Sequence, residues 1–91
     1  MRLLWRPLAI RDRLAIMEYI AIDNPAAATR LDEEIERSAR RASERPLACR
    51  VGRVNGTREL LVRPSYMLVF RMKGDAIEVL RVLHTARQWP I

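Results

Sequence analysis

His84 is the only histidine and Cys49 the only cysteine of the chain, so proton transfer and nucleophilic attack have few carriers. A nucleophile–histidine–carboxylate arrangement would pair His84 with Cys49 or a serine, and no flanking sequence supports one. A lone cysteine excludes an internal disulfide and a multi-cysteine zinc site. There is no Gly-rich phosphate loop and no spaced set of metal ligands, so neither a cofactor nor a metal is expected. Arginine is the abundant chemical group: sixteen of the seventeen basic residues, Lys73 being the exception. Arginines that stabilise phosphorane charge beside one proton-moving histidine could cleave RNA, and Arg58, Arg81, Arg87 and His84 are the candidates. Arg81 and His84 stand at odd spacing, so a regular strand sends them to opposite faces. The preferred role for His84 is a structural hydrogen bond at the end of the sheet, and no catalytic residue is favoured.

The charge has a location. The net charge is +6; residues 1–45 carry nine basic and eight acidic residues, and residues 46–91 carry eight basic and three acidic. An excess confined to one half points to an anionic partner for that half. Direct nucleic-acid binding would want aromatic stacking platforms, but the aromatics are only Trp5, Tyr19, Tyr66, Phe70 and Trp89, none paired along a strand. An acidic peptide satisfies the same charges.

These residues need elements to hold them. With 91 residues and 49% hydrophobic content, the chain makes one domain, 1–91. It has no run of about 20 apolar residues to cross a membrane. It shows no secretory signal pattern, which makes the cytoplasm the expected compartment. Arg2 to Trp5 reads as an opening strand. A helical hairpin follows over about 7–45: Pro7 suits a first helical turn, and Ile10, Leu14, Met17 and Ala21 mark an apolar face with Asp12 and Arg13 off it. Asn24 and Pro25 cap and open the second helix, whose Ala28, Leu31, Ile35, Ala39 and Ala42 share one side. A loop is expected over about 46–56 and a mostly antiparallel sheet over about 57–84. Three strand-like runs make up that sheet, joined by Pro64-Ser65 and Gly74-Asp75. The fold class is α+β, a helical hairpin on a small sheet.

Two-residue turns imply a register. Arg63 pairs with Tyr66 and Lys73 with Ala76, which sets Arg58 opposite Arg71 and Arg71 opposite Glu78. The same register gives two unbroken apolar rows, Leu60–Val69–Leu80 and Val62–Met67–Val82. The hairpin covers one face and the other meets a partner.

Three ordered segments carry a resemblance: Gly56-Thr57-Arg58-Glu59-Leu60, then Tyr66-Met67-Leu68-Val69-Phe70-Arg71, then Leu83-His84-Thr85-Ala86-Arg87-Gln88-Trp89-Pro90. With Trp5, Ala9, the Tyr19-Ile20 pair and Asn24-Pro25, the chain resembles toxins of the RelE/ParE superfamily over nearly its whole length. The resemblance implies a helical hairpin on an antiparallel sheet and a role as the toxic half of a bacterial type II toxin–antitoxin module. It also implies a choice of target. The RelE-like branch cleaves mRNA on the ribosome, and the ParE-like branch inhibits DNA gyrase without being a nuclease. An arginine of the nuclease branch would fall at Met67, its C-terminal tyrosine has no counterpart, and residues 46–55 lack its lysines. Arg87 matches a basic position of that branch, and His84 lies near the His-Tyr pair of another nuclease group, though Thr85 follows it.

The resemblance therefore favours a ParE-like gyrase inhibitor neutralised by a cognate ParD-like antitoxin, with ribosome-dependent mRNA cleavage as the alternative. Nucleic acid is then met only indirectly, through an antitoxin–operator complex or, in the alternative, ribosomal mRNA; no membrane is involved. Arg58, Met67, Arg71, Arg81, Arg87 and Trp89 are the expected antitoxin- or target-binding residues. The alignment of Met67 turns its face toward the open groove, whereas the apolar rows alone turn it inward.

Overall fold

The computed structural model describes residues 1–87, 89 and 90. Strand β1 (Arg2–Trp5) leads into helix α1 (Pro7–Ala21), and helix α2 (Pro25–Glu44) folds back beside it. A 3-10 turn (Pro46–Ala48) and a two-residue strand β2 (Arg50–Val51) occupy the stretch expected to be loop. Strands β3 (Arg58–Arg63), β4 (Tyr66–Lys73) and β5 (Ala76–His84) complete a five-stranded sheet in the order β1-β5-β4-β3-β2. The β1–β5 pair is parallel and the others antiparallel.

Local chemistry explains the boundaries. Pro7 opens α1 after an extended Arg6, where its missing N–H is no loss. The Asn24 side chain accepts a hydrogen bond from the Ala27 N–H at 3.0 Å, and Pro25 takes the first helical position. Gly74, at φ 61°, supplies the left-handed residue of the β4–β5 turn.

Both tight turns pair as expected, Arg63 with Tyr66 and Lys73 with Ala76, but the register beyond them shifts by one residue. Val62 is an extra residue in β3 and Leu80 an extra residue in β5. Arg58 therefore faces Phe70 rather than Arg71, Leu61 faces Met67, and Arg81 faces Val69. Each bulge reverses the alternation of the side chains past it. The two expected apolar rows do not form, and their residues divide between the faces. Leu68, Phe70, Ile77, Val79 and Val82 join Ala9 of α1 and Leu31, Ile35, Ala39 and Ala42 of α2 in the main core, with Leu60 and Val62 packed against it. Met67, Val69 and Leu83 form a second, smaller cluster under Trp89. Alternation puts that cluster on the face away from the helices, as the alignment of Met67 implied.

Helix α1 also departs from expectation. Its packed residues are Ala9, Ile16 and Ile20, while Ile10 and Leu14 are 55% and 56% exposed. Asp12 and Arg13 flank the packed side instead of standing off it. Arg13 donates to the carboxylates of Asp32 at 2.9 Å and Glu36 at 3.1 Å, and its guanidinium lies 4.5 Å from the centre of the Trp5 ring. Inward charges are tolerated because α2 and β5 supply opposite ones.

Candidate functional site

The candidate residues are spread over four places. The first is a cleft of about 270 Å³ between α1 and the ends of β4 and β5, lined by Asp12, Ala15, Ile16, Tyr19, Tyr66, Val82, His84 and Arg87. His84, the last residue of β5, pairs with Tyr66 of β4, and the two rings meet edge-on, centroids 5.2 Å apart. The Ala86 N–H donates to His84 Nδ1 at 3.1 Å, the structural hydrogen bond expected of this residue. That bond occupies Nδ1 as an acceptor and leaves Nε2 as the ring's other polar atom. Arg87 is held beside it by its backbone N–H to the His84 carbonyl at 2.9 Å.

Arg81 lies close in sequence but is engaged elsewhere. Its guanidinium makes two hydrogen bonds to the Asp12 carboxylate, at 2.8 and 3.1 Å, and both side chains are nearly buried. The hydrogen bond that Arg81 donates to Asp12, opposed by burial and aided by the carboxylate charge, raises the Arg81 pKa. The same carboxylate accepts the Val82 N–H at 2.9 Å, satisfying a β5 backbone group that β1 ends too early to pair. Arg58 is at the other end of β3, donating to the Cys49 carbonyl at 2.7 Å. Of Arg58, Arg81, His84 and Arg87, the structure brings only His84 and Arg87 into the cleft.

The fourth place is the sheet face away from the helices. Met67 is fully buried there, and Trp89 packs over its cluster. The buried indole N–H of Trp89 has no hydrogen-bond partner among the described residues. Arg71 donates to Glu78 at 2.7 Å, and Arg6 approaches the same carboxylate at 3.6 Å. Glu59, also buried, is held by Arg50 at 3.0 Å and by the Arg53 N–H at 3.0 Å. Gln88 of the closing motif and the terminal Ile91 lie outside the described residues.

The Arg71 hydrogen bond is the main reason that the Glu78 carboxyl is held below its ordinary value of 4.5. Burial opposes it, and the charges of Arg71, Lys73 and Arg6 assist. A carboxyl depressed in the fold contributes stability above its unfolded pKa and loses it as the pH falls through the folded value. The urea midpoint is therefore expected to fall as the pH drops below 4.5, and Glu78→Gln is expected to flatten that part of the profile. An unchanged slope in Glu78→Gln would remove the pair from the account.

Cys49 is buried, and burial raises its thiol pKa against the opposing charge of Arg58. A thiol held protonated is a poor nucleophile. Among the described residues no group of three His, Cys, Asp or Glu side chains is placed to hold a metal. No described helix is long and apolar enough to cross a membrane. Sequence reasoning missed Asp12, Arg13 and Glu59, the acceptors and donors that tie up neighbouring charges. The available signal was the Ala9, Ile16 and Ile20 spacing, which places Asp12 and Arg13 at the margins of the packed side.

Comparison with known proteins agrees with this geometry. The family described as "ParE toxin of type II toxin-antitoxin system, parDE" matches residues 3–89. A putative toxin, Y4kP, of Sinorhizobium fredii is 36% identical over 90 residues, covering 98% of this chain and 93% of the relative. Toxin RelE2 of Caulobacter vibrioides is 32% identical over 83 residues, with 91% of each chain covered. Among solved structures, a chain of the chromosomal ParDE system of P. aeruginosa superposes with a TM-score of 0.82 at 28% identity, covering 92% of this chain and 95% of that one. A YoeB/ParE toxin of Agrobacterium tumefaciens shares the fold, with a TM-score of 0.65 at 20% identity over 92% of this chain and 98% of that one. The two-helix hairpin on a mostly antiparallel five-stranded sheet is thus the fold of these toxins, and the chain belongs to the ParE toxin family of type II toxin–antitoxin systems.

Proposed function

We propose that this toxin inhibits DNA gyrase by binding it, in the cytoplasm, and that a cognate ParD-like antitoxin with an acidic, apolar-studded segment neutralises it. The observation that carries the reading is the dispersal of the catalytic candidates. Arg81 is bound to Asp12, Arg58 to the Cys49 carbonyl, and the His84 ring accepts the Ala86 N–H. Phosphoryl-transfer chemistry needs such groups converging within hydrogen-bond reach of one phosphate. A binding surface needs only accessible charge and apolar area. Arg50, Arg53 and Arg87 are exposed, and each stands in the half of the chain with the basic excess.

Purified toxin is expected to block supercoiling by gyrase, and gyrase left fully active at large molar excess would overturn the proposal. One observation favours a second reading, ribosome-dependent mRNA cleavage: His84 and Arg87 share a cleft with Tyr66. In a translating extract that reading predicts new mRNA ends that disappear with His84→Ala. Ends that persist would take His84 out of it, and a toxin that leaves mRNA intact would remove the reading altogether.

A further inference from the structure

Helix α1 is amphipathic the wrong way round for a helix that only covers a sheet. Of its four charged residues, Asp12 and Arg13 turn toward β5 and α2 and are paired there. Its solvent side carries Ile10, Leu14, Met17 and Ala21, of which Ile10 and Leu14 are more than half exposed. The spacing of these four is four, three and four, which is the a/d seam of a heptad, and the seam runs for about 16 Å at 1.5 Å per residue. Arg11 and Glu18, the remaining two charges, are both exposed and have no ion-pair partner among the described residues.

Those two charges stand one heptad apart on the same flank of the seam. In an antiparallel pair of helices, equivalent flanks meet, so a twofold axis near Leu14 brings Arg11 of one copy against Glu18 of the other, twice. The seam is thus complementary to itself in charge as well as in apolar surface. It does not call for an acidic partner, because the charges of α1 balance, Arg11 and Arg13 against Asp12 and Glu18. We infer that the free toxin associates into a twofold dimer through α1, with Ile10, Leu14 and Met17 packed across the axis. One helix per copy is a contact at the small end of specific interfaces, so association is weak and concentration-dependent.

Sedimentation equilibrium of the purified full chain tests this from low to high micromolar concentration. The wild type is expected to shift from monomer to dimer over that range. Leu14→Glu places two carboxylates at the axis and is expected to weaken association by about a hundredfold or more. Glu18→Arg is expected to weaken it by about tenfold, and adding Arg11→Glu to restore it. All three positions are exposed, so circular-dichroism melts are expected to match the wild type. If Leu14→Glu fails to fold, the Arg11/Glu18 exchange still decides. A monomer at every concentration, a dimer indifferent to Leu14→Glu, or an exchange that does not restore association would each overturn the inference. A monomer whose Leu14→Glu variant loses antitoxin binding would also overturn it, assigning the seam to the antitoxin.

Discussion

Asp12→Ala is expected to destabilise the fold by about 3 kcal/mol or more, near the range for breaking a buried pair from one side. The carboxylate has two duties. It is the counter-charge of Arg81 in a pair whose side chains are 12% and 10% exposed, and it accepts the otherwise unpaired Val82 N–H of β5. Removing it leaves a nearly buried guanidinium without an anion and an edge donor without an acceptor. A domain of this size holds about 5–14 kcal/mol in all at 0.05–0.15 kcal/mol per residue, so the loss is a large share. Asp12→Asn keeps one acceptor and is expected to cost less. Adding Arg81→Met to Asp12→Ala is expected to recover part of the loss, because the uncompensated charge goes with it. Chemical denaturation followed by circular dichroism measures all three. A cost for Asp12→Ala under about 1 kcal/mol would class the pair with ordinary surface bridges and refute the burial argument.

The same residue shows where sequence reading stops. Asn24-Pro25, Pro64-Ser65 and Gly74-Asp75 act through their immediate neighbours, so the hairpin and both tight turns were legible from composition alone. Asp12 meets partners 69 and 70 residues away, and Arg13 meets Asp32 across 19. The Ala9, Ile16 and Ile20 spacing is the one local signal that these charges turn inward, and it competes with a longer apolar stripe. The stripe at Ile10, Leu14 and Met17 therefore reads as the packed face, although Ile10 and Leu14 are more than half exposed. The bulges at Val62 and Leu80 were equally hidden, since an extra residue leaves a strand's composition unchanged while reversing every side chain beyond it. At the candidate site, His84 and Arg87 came together because the turn that follows β5 binds the Arg87 N–H to the His84 carbonyl. Arg58 did not, because it opens β3 at the end of the sheet opposite His84, and Arg81 did not, because its odd spacing from His84 turns it aside and Asp12 holds it.

Phe70→Ala is expected to cost about 3–5 kcal/mol, the range for emptying a fully buried aromatic position. Phe70 is completely enclosed, in one cluster with Leu31, Ile35 and Ala39 of α2 and Leu68, Val79 and Val82 of the sheet. Backbone and helices meet there, so the site has little freedom to collapse onto the void. Loss of toxicity in this variant would report instability and not a target contact, and the folded fraction must be measured beside growth inhibition. Leu61→Ala, on an exposed side chain, is the contrast, expected within about 0.5 kcal/mol of the wild type. Phe70 also pairs with Val79 at the point where Leu80 bulges out, one step before Arg81 turns to Asp12. The core and the ion pair thus share one stretch of β5. Phe70→Ala and Asp12→Ala are accordingly expected to be non-additive, with a coupling of about 0.5 kcal/mol or more. Their double-mutant cycle is best measured in a background stabilised enough to keep the double variant folded. Strict additivity would mean that the bulge holds its geometry without either neighbour, and that the Arg81–Asp12 bridge depends on α1 alone.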